Sequence, residues 1–510
     1  MGDVQDEVFA LMARPQTFGP GIAAVERVDT HISALFLGGE RVYKIKKAVR
    51  LPFLDFTTIE RRREACEAEL GLNRRTAPEM YRGLASVTRE ADGRLVVGGQ
   101  GEPVEWMVVM NRFDQDTLFD RLADRGALTR ELMRALADEL AAFHRRARRR
   151  PDMGGRASLD WTIRTNDETF RAFIPEVFPA AAVDALTATS RTALDKVAPL
   201  LEGRREDGMV RHCHGDLHLG NICLYEGRPT IFDAIEFSEA VACIDVLYDL
   251  AFLLMDLEFR DHRRLASHAF NRYLEQTGDI GGMAAMPLFL SCRAAIRAHV
   301  SAAMAANQHG EAKERRLRDA RRYLATATGC LAPPPARLVA VGGLSGSGKS
   351  RMGRELAPFL GAAPGAVVVR SDVLRKRLMG VDPETHLEAD GYTPEMTERT
   401  YAALFDEAAR VLAAGHSVVA DAVFAKPEQR DRIAEVARLA GAPFQGVWLE
   451  AAPEVMEQRI VSRKRNASDA TTSVLRQQLE YDLGEIGWSR VDTGRPKAES
   501  LRVARQVLGI

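Results

Sequence analysis

Short apolar runs, alternating with polar positions, open the chain. Val25 to Val28, Ala34 to Leu37 and Arg41 to Ile45 read as strands, and Gly38-Gly39 supplies the turn between the last two. Glu60 to Arg75 reads as a charged amphipathic helix, with Leu95 to Val97 and Trp106 to Met110 as further strands. From Thr117 onward the period is mostly helical, through Leu128–Arg150, Asp167–Val177, Val183–Leu201, Val246–Leu257 and Arg264–Gln276. A small sheet lobe followed by a larger helical lobe predicts an α+β, bilobal first half.

The pattern changes after Leu331-Ala332-Pro333-Pro334-Pro335-Ala336. Consecutive prolines cannot continue a helix and favour a stiff extended linker. The expected boundary therefore separates residues 1–331 from 337–510. Beyond it, strands at Leu338–Val341, Ala366–Val369, Ser417–Ala420 and Gly446–Leu449 alternate with helices from Ser350, over Tyr401–Ala414 and over Glu428–Leu439. Such alternation predicts an α/β fold with a parallel sheet and helices on both faces.

A length of 510 residues exceeds one ordinary core. Charged residues make up 28%, apolar residues 46%, and the net charge is −1. That balance exerts no global pull toward nucleic acid or membrane. Arg145, Arg146, Arg148, Arg149 and Arg150 form a local basic run, read as a helix C-terminus complementing its dipole. Cys66, Cys213, Cys223, Cys243, Cys292 and Cys330 contain no C-x-x-C pair. With no signal-peptide pattern and no apolar run near the ~20 residues of a membrane helix, the expected setting is a reducing cytoplasm.

Two signatures carry chemistry. The first is His214-Gly215-Asp216-Leu217-His218-Leu219-Gly220-Asn221, followed by Phe232-Asp233 at the end of an apolar run. Phosphoryl transfer to a hydroxyl needs phosphates and metal held in place, plus a carboxylate near the incoming hydroxyl. Asp216 is the candidate that orients or deprotonates the acceptor, while Asn221 and Asp233 are candidates to hold Mg²⁺. This pattern resembles the aminoglycoside-phosphotransferase branch of the kinase-like fold, over about Gly21 to Leu331. That family carries H-G-D-x-x-x-x-N and a later apolar-Asp element in these roles. Asp233 is followed by Ala234, however, and not by the aromatic common in antibiotic-modifying members. The run Phe232-Asp233-Ala234-Ile235-Glu236-Phe237 looks like a separate branch, in which antibiotic modification is not assumed. A polycationic acceptor would want an acidic cleft, for which Glu236, Glu239 and Asp245 are candidates. His212, Cys213, His214, His218 and Cys223 crowd together but lack the paired short spacings of a structural zinc site.

The resemblance implies a phosphate-binding lysine on the third strand. Lys44 and Lys46 both qualify, and the family pattern prefers Lys44. Its ion-pair acid should come from the helix over Glu60–Arg75, with Glu69 preferred and Glu64 the alternative. No G-x-G-x-x-G precedes these strands; the turn Asp29-Thr30-His31-Ile32-Ser33 stands there, and its hydroxyls are candidate phosphate contacts. The family resembled also manages without that loop, which favours a small-molecule kinase over a protein kinase. Met110 to Phe113 is the expected adenine-contacting hinge.

The second signature is Gly343-Leu344-Ser345-Gly346-Ser347-Gly348-Lys349-Ser350, fitting G-x-x-x-x-G-K-[ST] between an expected strand and helix. Backbone N–H groups of such a loop point inward around phosphates, Lys349 reaches the β/γ-phosphates and the Ser350 hydroxyl binds Mg²⁺. Asp421 ends a buried-type strand and reads as the Walker-B-like carboxylate. Ser371-Asp372-Val373-Leu374-Arg375 resembles the acceptor corner of small P-loop kinases, such as gluconate-, shikimate- and polynucleotide-kinase relatives and the zeta-toxin group. There Asp372 would activate the hydroxyl and Arg375 grip the acceptor, with a helix N-cap as the competing role for Ser371 or Asp372. Glu457 to Arg465 resembles the mobile lid of these kinases; Arg463 is the candidate to stabilise charge on the transferring group, with Arg459 one turn earlier.

The whole chain resembles bacterial proteins described as bifunctional aminoglycoside-phosphotransferase-like/ATP-binding proteins. This implies a cytoplasmic ATP/Mg²⁺-dependent phosphotransferase with two nucleotide sites and a small hydroxylated acceptor, not a nucleic acid or a membrane. Two alternatives stand beside it: catalysis by the P-loop half alone with a regulatory first half, and a non-enzymatic ATP-dependent switch. The two complete phosphate-binding sets predict that the halves bind nucleotide independently.

Overall fold

The alternating runs of the first 111 residues form an antiparallel six-stranded sheet. Its order is Val25–Asp29, Ser33–Gly38, Arg41–Lys46, Glu102–Asn111, Tyr81–Arg89 and Leu95–Val97. Both faces are covered. Val8 and Met12 of the helix Gly2–Met12 pack on Ala34, Phe36, Ile45 and Met107. Cys66 of the helix Ile59–Asn73 packs with Val42, Val108 and Met110 on the other face. Two-sided burial explains why the central strands read as apolar runs. Tyr81–Arg89 was not legible as a strand because its interior is Gly83, Ala85 and Ser86, and its register shifts twice against the neighbouring strand.

The computed structural model describes residues 2–51, 54–387, 389–462, 469 and 471–510. It falls into two compact units. The first joins Met1–Leu159 to Glu202–Leu253. Besides the sheet it holds the helix Arg130–Arg146, the hairpin Ile222–Tyr225/Arg228–Ile231 and the pairing of Val210–His212 with Cys243–Asp245. The helix expected over Leu128–Arg150 stops at Arg146. Arg145 and Arg146 do lie in its last turn, but Arg150 lies beyond it, buried between Asp152 and Glu239.

The second unit joins Asp160–Leu201 to Leu254–Ile510. Its sheet is parallel and five-stranded, in the order Val367–Arg370, Val418–Asp421, Leu338–Gly342, Phe444–Glu450 and Ser489–Asp492. Val339, Val341, Leu356, Val368, Val419, Val447 and Leu508 form its core between sheet and helices. Each such side chain contributes about 1.5–3 kcal/mol by leaving water. The compact units do not divide at the proline run. Helices on its N-terminal side, Arg263–Thr277 and Met286–Ala306 among them, belong to the same unit as the parallel sheet. The reason is an unpaired sheet edge. Asn271 of the first of these helices accepts the Val368 N–H at 2.7 Å and donates to the Ala366 carbonyl at 3.1 Å, completing the edge strand as another strand would.

Candidate active sites

Lys44 and Lys46 are two apart on Arg41–Lys46 and share one face. The helix Ile59–Asn73 covers it. That helix begins at Thr58, whose hydroxyl accepts the Arg61 N–H, and buries Arg62, Cys66, Glu69 and Asn73 at helical spacing. Lys44 Nζ lies 2.8 Å from Glu69 Oε1 and 2.5 Å from Asp233 Oδ1. Lys46 Nζ lies 2.5 Å from Glu69 Oε2 and bonds to Glu236. Both candidate lysines thus reach the same acid, while Glu64 is exposed.

Two ammonium groups here face three carboxylates. Burial opposes the ionised form of Glu69, but Lys44 and Lys46 outweigh it and hold the carboxyl at about 2, against an ordinary 4.5. Its stabilising contribution is therefore complete above pH 4.5 and is lost as pH falls toward 2. Burial likewise opposes charge on Lys44, yet Asp233 and Glu69 raise it well above its ordinary value. Asp233 is the partly open member, its side chain 42% exposed. It sits at φ 62°, a conformation that costs a non-glycine residue about 1–3 kcal/mol. The Tyr81 hydroxyl accepts its N–H at 3.3 Å, and Asn73 Oδ1 accepts the Ala234 N–H at 2.8 Å, which fixes the bend. The surplus carboxylate, facing outward from a cationic pair, suits a Mg²⁺ ion.

The His214–Asn221 loop is organised from beneath. Asp249 Oδ2 accepts the His214 N–H at 3.1 Å and Asp249 Oδ1 the Gly215 N–H at 2.9 Å, with His144 Nε2 3.1 Å from the same carboxylate. His214 Nε2 lies 2.8 Å from the Phe232 carbonyl, tying this loop to the Asp233 bend. Asn221 Nδ2 donates to the Asp216 carbonyl at 2.9 Å and to Asp216 Oδ2 at 3.1 Å. Asp216 and Asn221 are therefore brought together, and His218 Nε2 lies 3.5 Å from the Asp216 carboxylate. Asp249 and His144 were not found by sequence reasoning. The available signal was a carboxylate in the first turn of the otherwise apolar helix Val246–Phe259. Asp249→Ala should lower the unfolding free energy by about 3–5 kcal/mol, because two main-chain donors and an imidazole lose their acceptor. Urea denaturation monitored by circular dichroism checks this; a loss below about 1 kcal/mol removes Asp249 from this role.

One neighbouring expectation resolves differently. Glu236, Glu239 and Asp245 do not form an open acidic cleft. Each is spent on a cation: Glu236 on Lys46, Glu239 on Arg150, and Asp245 on Arg204 at 2.7 Å. Among the described residues the metal-capable grouping is His144, Cys213 and Asp249, not the set gathered from sequence, and its Asp249 already serves the loop. In the turn at Asp29–Ser33, the Thr30 hydroxyl donates to the Ser33 carbonyl at 3.2 Å and accepts the Ser33 N–H at 2.9 Å. Ser33 Oγ is buried without a hydrogen-bond partner among the described residues. At Met110–Phe113, the segment expected to be the hinge, the strand ends at Asn111, with the Asn111 N–H on the Met80 carbonyl and the Arg112 N–H on that of Glu40.

In the second unit, the strand Leu338–Gly342 runs through residues 343–348 into the helix Lys349–Leu356. Gly343 and Gly346 have φ of 137° and 85°; a Cβ on them would stand 2.5 Å from the Leu449 carbonyl oxygen and 2.6 Å from that of Met456. The loop is thus a cradle only glycine can build. Ser347 Oγ is buried there without a hydrogen-bond partner among the described residues. Lys349 Nζ donates to the Leu344 carbonyl at 3.0 Å, and Gln478 Oε1 accepts the Ser345 N–H at 2.8 Å. Thr493 Oγ1 donates to the Ser347 carbonyl at 2.8 Å, and Arg459 reaches both Thr493 and the Gly346 carbonyl. Arg463 lies outside the described residues.

A cavity of about 2090 Å³ opens beside this loop, with Ser350, Asp372, Arg375, Asp421 and Arg459 on its wall. Asp421 ends its strand in register with Val341, one strand over from the loop. The N-cap of the helix Ser371–Leu378 is Arg370, so Asp372 stands in the first turn and not at the cap. Arg375 donates to the Gly391 carbonyl at 2.8 Å and stacks on Tyr392, 4.8 Å from its ring centre. Burial, a hydrogen bond to Asp469 and the nearby Asp372 together push the Tyr392 hydroxyl well above its ordinary value. Asp469 joins Lys376 at 3.1 Å and Tyr392 Oη at 2.9 Å, capping the same corner. Gln478, Thr493, Tyr392 and Asp469 were not anticipated, since no short motif contains them.

Residues 58–289 match the model of the phosphotransferase enzyme family, and residues 338–481 match that of the AAA domain. Uncharacterized proteins of Mycobacterium tuberculosis (strain ATCC 25618 / H37Rv) and Mycobacterium bovis (strain ATCC BAA-935 / AF2122/97) are each 29% identical over 506 residues, covering 97% of either chain. Among solved structures, a choline/ethanolamine kinase family protein from Mesorhizobium loti is 15% identical with a TM-score of 0.38, covering 64% of this chain and 99% of its own. The APS kinase of Mycobacterium tuberculosis is 24% identical with a TM-score of 0.27, covering 35% of this chain and 99% of its own. The chain thus carries a phosphotransferase-family domain over residues 58–289, followed by an AAA-type domain over residues 338–481 that contains the P-loop signature.

Proposed function

We propose that this chain is an ATP- and Mg²⁺-dependent phosphotransferase of the cytoplasm, transferring the γ-phosphoryl group to a hydroxyl of a small-molecule acceptor. The observation that carries the reading is one cavity walled by the phosphate loop, Asp421 and Asp372 together. A bound Mg²⁺ would offset charge on the phosphates as they react. Ser350 and Asp421 would hold it, Lys349 would reach the β- and γ-phosphates, and Ser347 Oγ, which has no partner among the described residues, would gain one. Asp372 would accept the acceptor's proton, with Arg375 as a fixed cation beside it. In the first unit the roles fall to Lys44 for phosphate, Asn221 and Asp233 for metal, and Asp216 for the acceptor. Family membership of residues 58–289 supports that assignment. The boundary proposed for the two catalytic regions is the proline run at 333–335.

A second reading places catalysis in the P-loop region alone. What favours it is the closure of Asp233 on Lys44, in which the metal carboxylate and the phosphate lysine neutralise each other. A screen of hydroxylated metabolites with γ-labelled ATP tests both. Labelled product that survives Asp216→Asn but not Lys349→Ala selects the second reading. ATP binding without any labelled product leaves only the switch.

A further inference from the structure

Arg370 ends its strand opposite Asp421, and both stand where ligands bind in an open parallel sheet. Arg370 is 5% exposed and Asp421 4%. The guanidinium Nε lies 3.5 Å from Asp421 Oδ2, so a candidate metal carboxylate has a buried cation beside it. Left alone, such a cation would compete with Mg²⁺ for that oxygen. It is not left alone: Glu275 Oε1 lies 3.1 Å from Arg370 Nη1. Burial opposes charge on Arg370, and Glu275, Asp421 and Asp372 more than offset it. Glu275 itself is steadied by Arg272, 3.4 Å away, which also reaches Glu384 at 3.0 Å.

Glu275 comes from the helix Arg263–Thr277, outside the P-loop match and inside the phosphotransferase-family match. Its placement is geometric. Asn271 pins the helix to Val368 and Ala366 on the sheet edge. Four helical residues advance about 6 Å, and two strand residues about 6.6 Å. Glu275 therefore meets Arg370 as Asn271 meets Val368.

We infer that Glu275 is a positioning residue of the P-loop site, supplied from the other family region, which draws Arg370 off Asp421 and leaves that carboxylate available to Mg²⁺. The inference rests on the reading of this cavity as a Mg²⁺–nucleotide site. Without Glu275, Arg370 falls to Asp421 and Asp372, and the site needs more Mg²⁺ to bind nucleotide.

The test is calorimetric titration of ATP into the full chain at graded MgCl₂, counting only binding that Lys349→Ala abolishes. Glu275→Gln should raise the Mg²⁺ concentration for half-maximal binding by about tenfold or more, the scale of a lost outer partner of a metal ligand. Glu275→Gln with Arg370→Gln should return it to within about threefold of wild type, because the competing cation is gone. A lost scaffold contact would lower the melting temperature without moving the Mg²⁺ requirement, and that result overturns the inference. So does a double variant as impaired as Glu275→Gln. Should Glu275→Gln fail to fold, Arg370→Gln alone decides, since Arg272 still pairs Glu275: its Mg²⁺ requirement must not rise. A wild-type chain with no Lys349-dependent binding sinks the nucleotide-site reading and this inference with it. Binding with an unshifted Mg²⁺ requirement sinks only the role of Glu275.

Discussion

Asp372→Asn should cut acceptor phosphorylation at the P-loop site by about 100-fold or more, while ATP affinity changes by less than about threefold. General-base loss costs about 10²–10⁴-fold, so the lower end corresponds to about 2.7 kcal/mol of transition-state stabilisation. Lys349, Ser347 and the glycines of the loop belong to residues 343–350, a different element from the helix Ser371–Leu378 that carries this carboxylate. Asp372 faces the cavity from the first turn of its helix, beside Arg375 and Tyr392. As a charge at a helix N-terminus alone it would contribute only about 0.3–1 kcal/mol, and all of that to stability. The two roles therefore separate by magnitude and by readout. Paired measurements of ATP affinity and product formation, in full-length chain carrying Asp216→Asn, decide between them. A lower melting temperature with turnover intact would make Asp372 a helix-dipole residue and favour the switch reading.

Strands and helices with strong periods were legible. The P-loop strand, expected at Leu338–Val341, spans Leu338–Gly342, and Ala366–Val369 spans Val367–Arg370. The lysine strand was equally plain, because its residues alternate against two covered faces. What the sequence concealed were long-range polar partners. Spacing alone could not rank Glu69 above Glu64; the inward helix face does, since Glu69 shares a stripe with Arg62, Cys66 and Asn73. Glu236 looked like an acid for a cationic ligand, but burial beside Lys46 makes it an internal counter-ion. Glu275 was hidden most deeply. Its helix carries the period of an ordinary amphipathic segment, and only the fold brings it to Arg370, 95 residues away. The same contact bears on independence of the halves: a fragment cut at residue 337 would lose Asn271 from the sheet edge and Glu275 from the site.

At the first site, two substitutions of like size should fail in opposite ways. Asp216→Asn, in full-length chain carrying Lys349→Ala, should abolish phosphotransfer by about 10²–10⁴-fold and spare Mg²⁺-dependent ATP binding. The amide keeps an oxygen for the hydrogen bond from Asn221 but cannot take a proton. Asp233→Asn should instead weaken Mg²⁺-dependent binding by about 10–100-fold if this partly open carboxylate is the metal ligand proposed. Lys44 keeps its Glu69 partner, 2.8 Å away, in that variant, so the cation proposed to bind phosphate survives and metal-free binding should change little. Calorimetry with and without MgCl₂, beside product formation on an acceptor identified by the labelled screen, separates the two. Near wild-type turnover in Asp216→Asn would remove it from proton transfer. Equal loss of binding in both variants would mean that the loop and the Asp233 bend act only as one scaffold, joined through His214 and the Phe232 carbonyl.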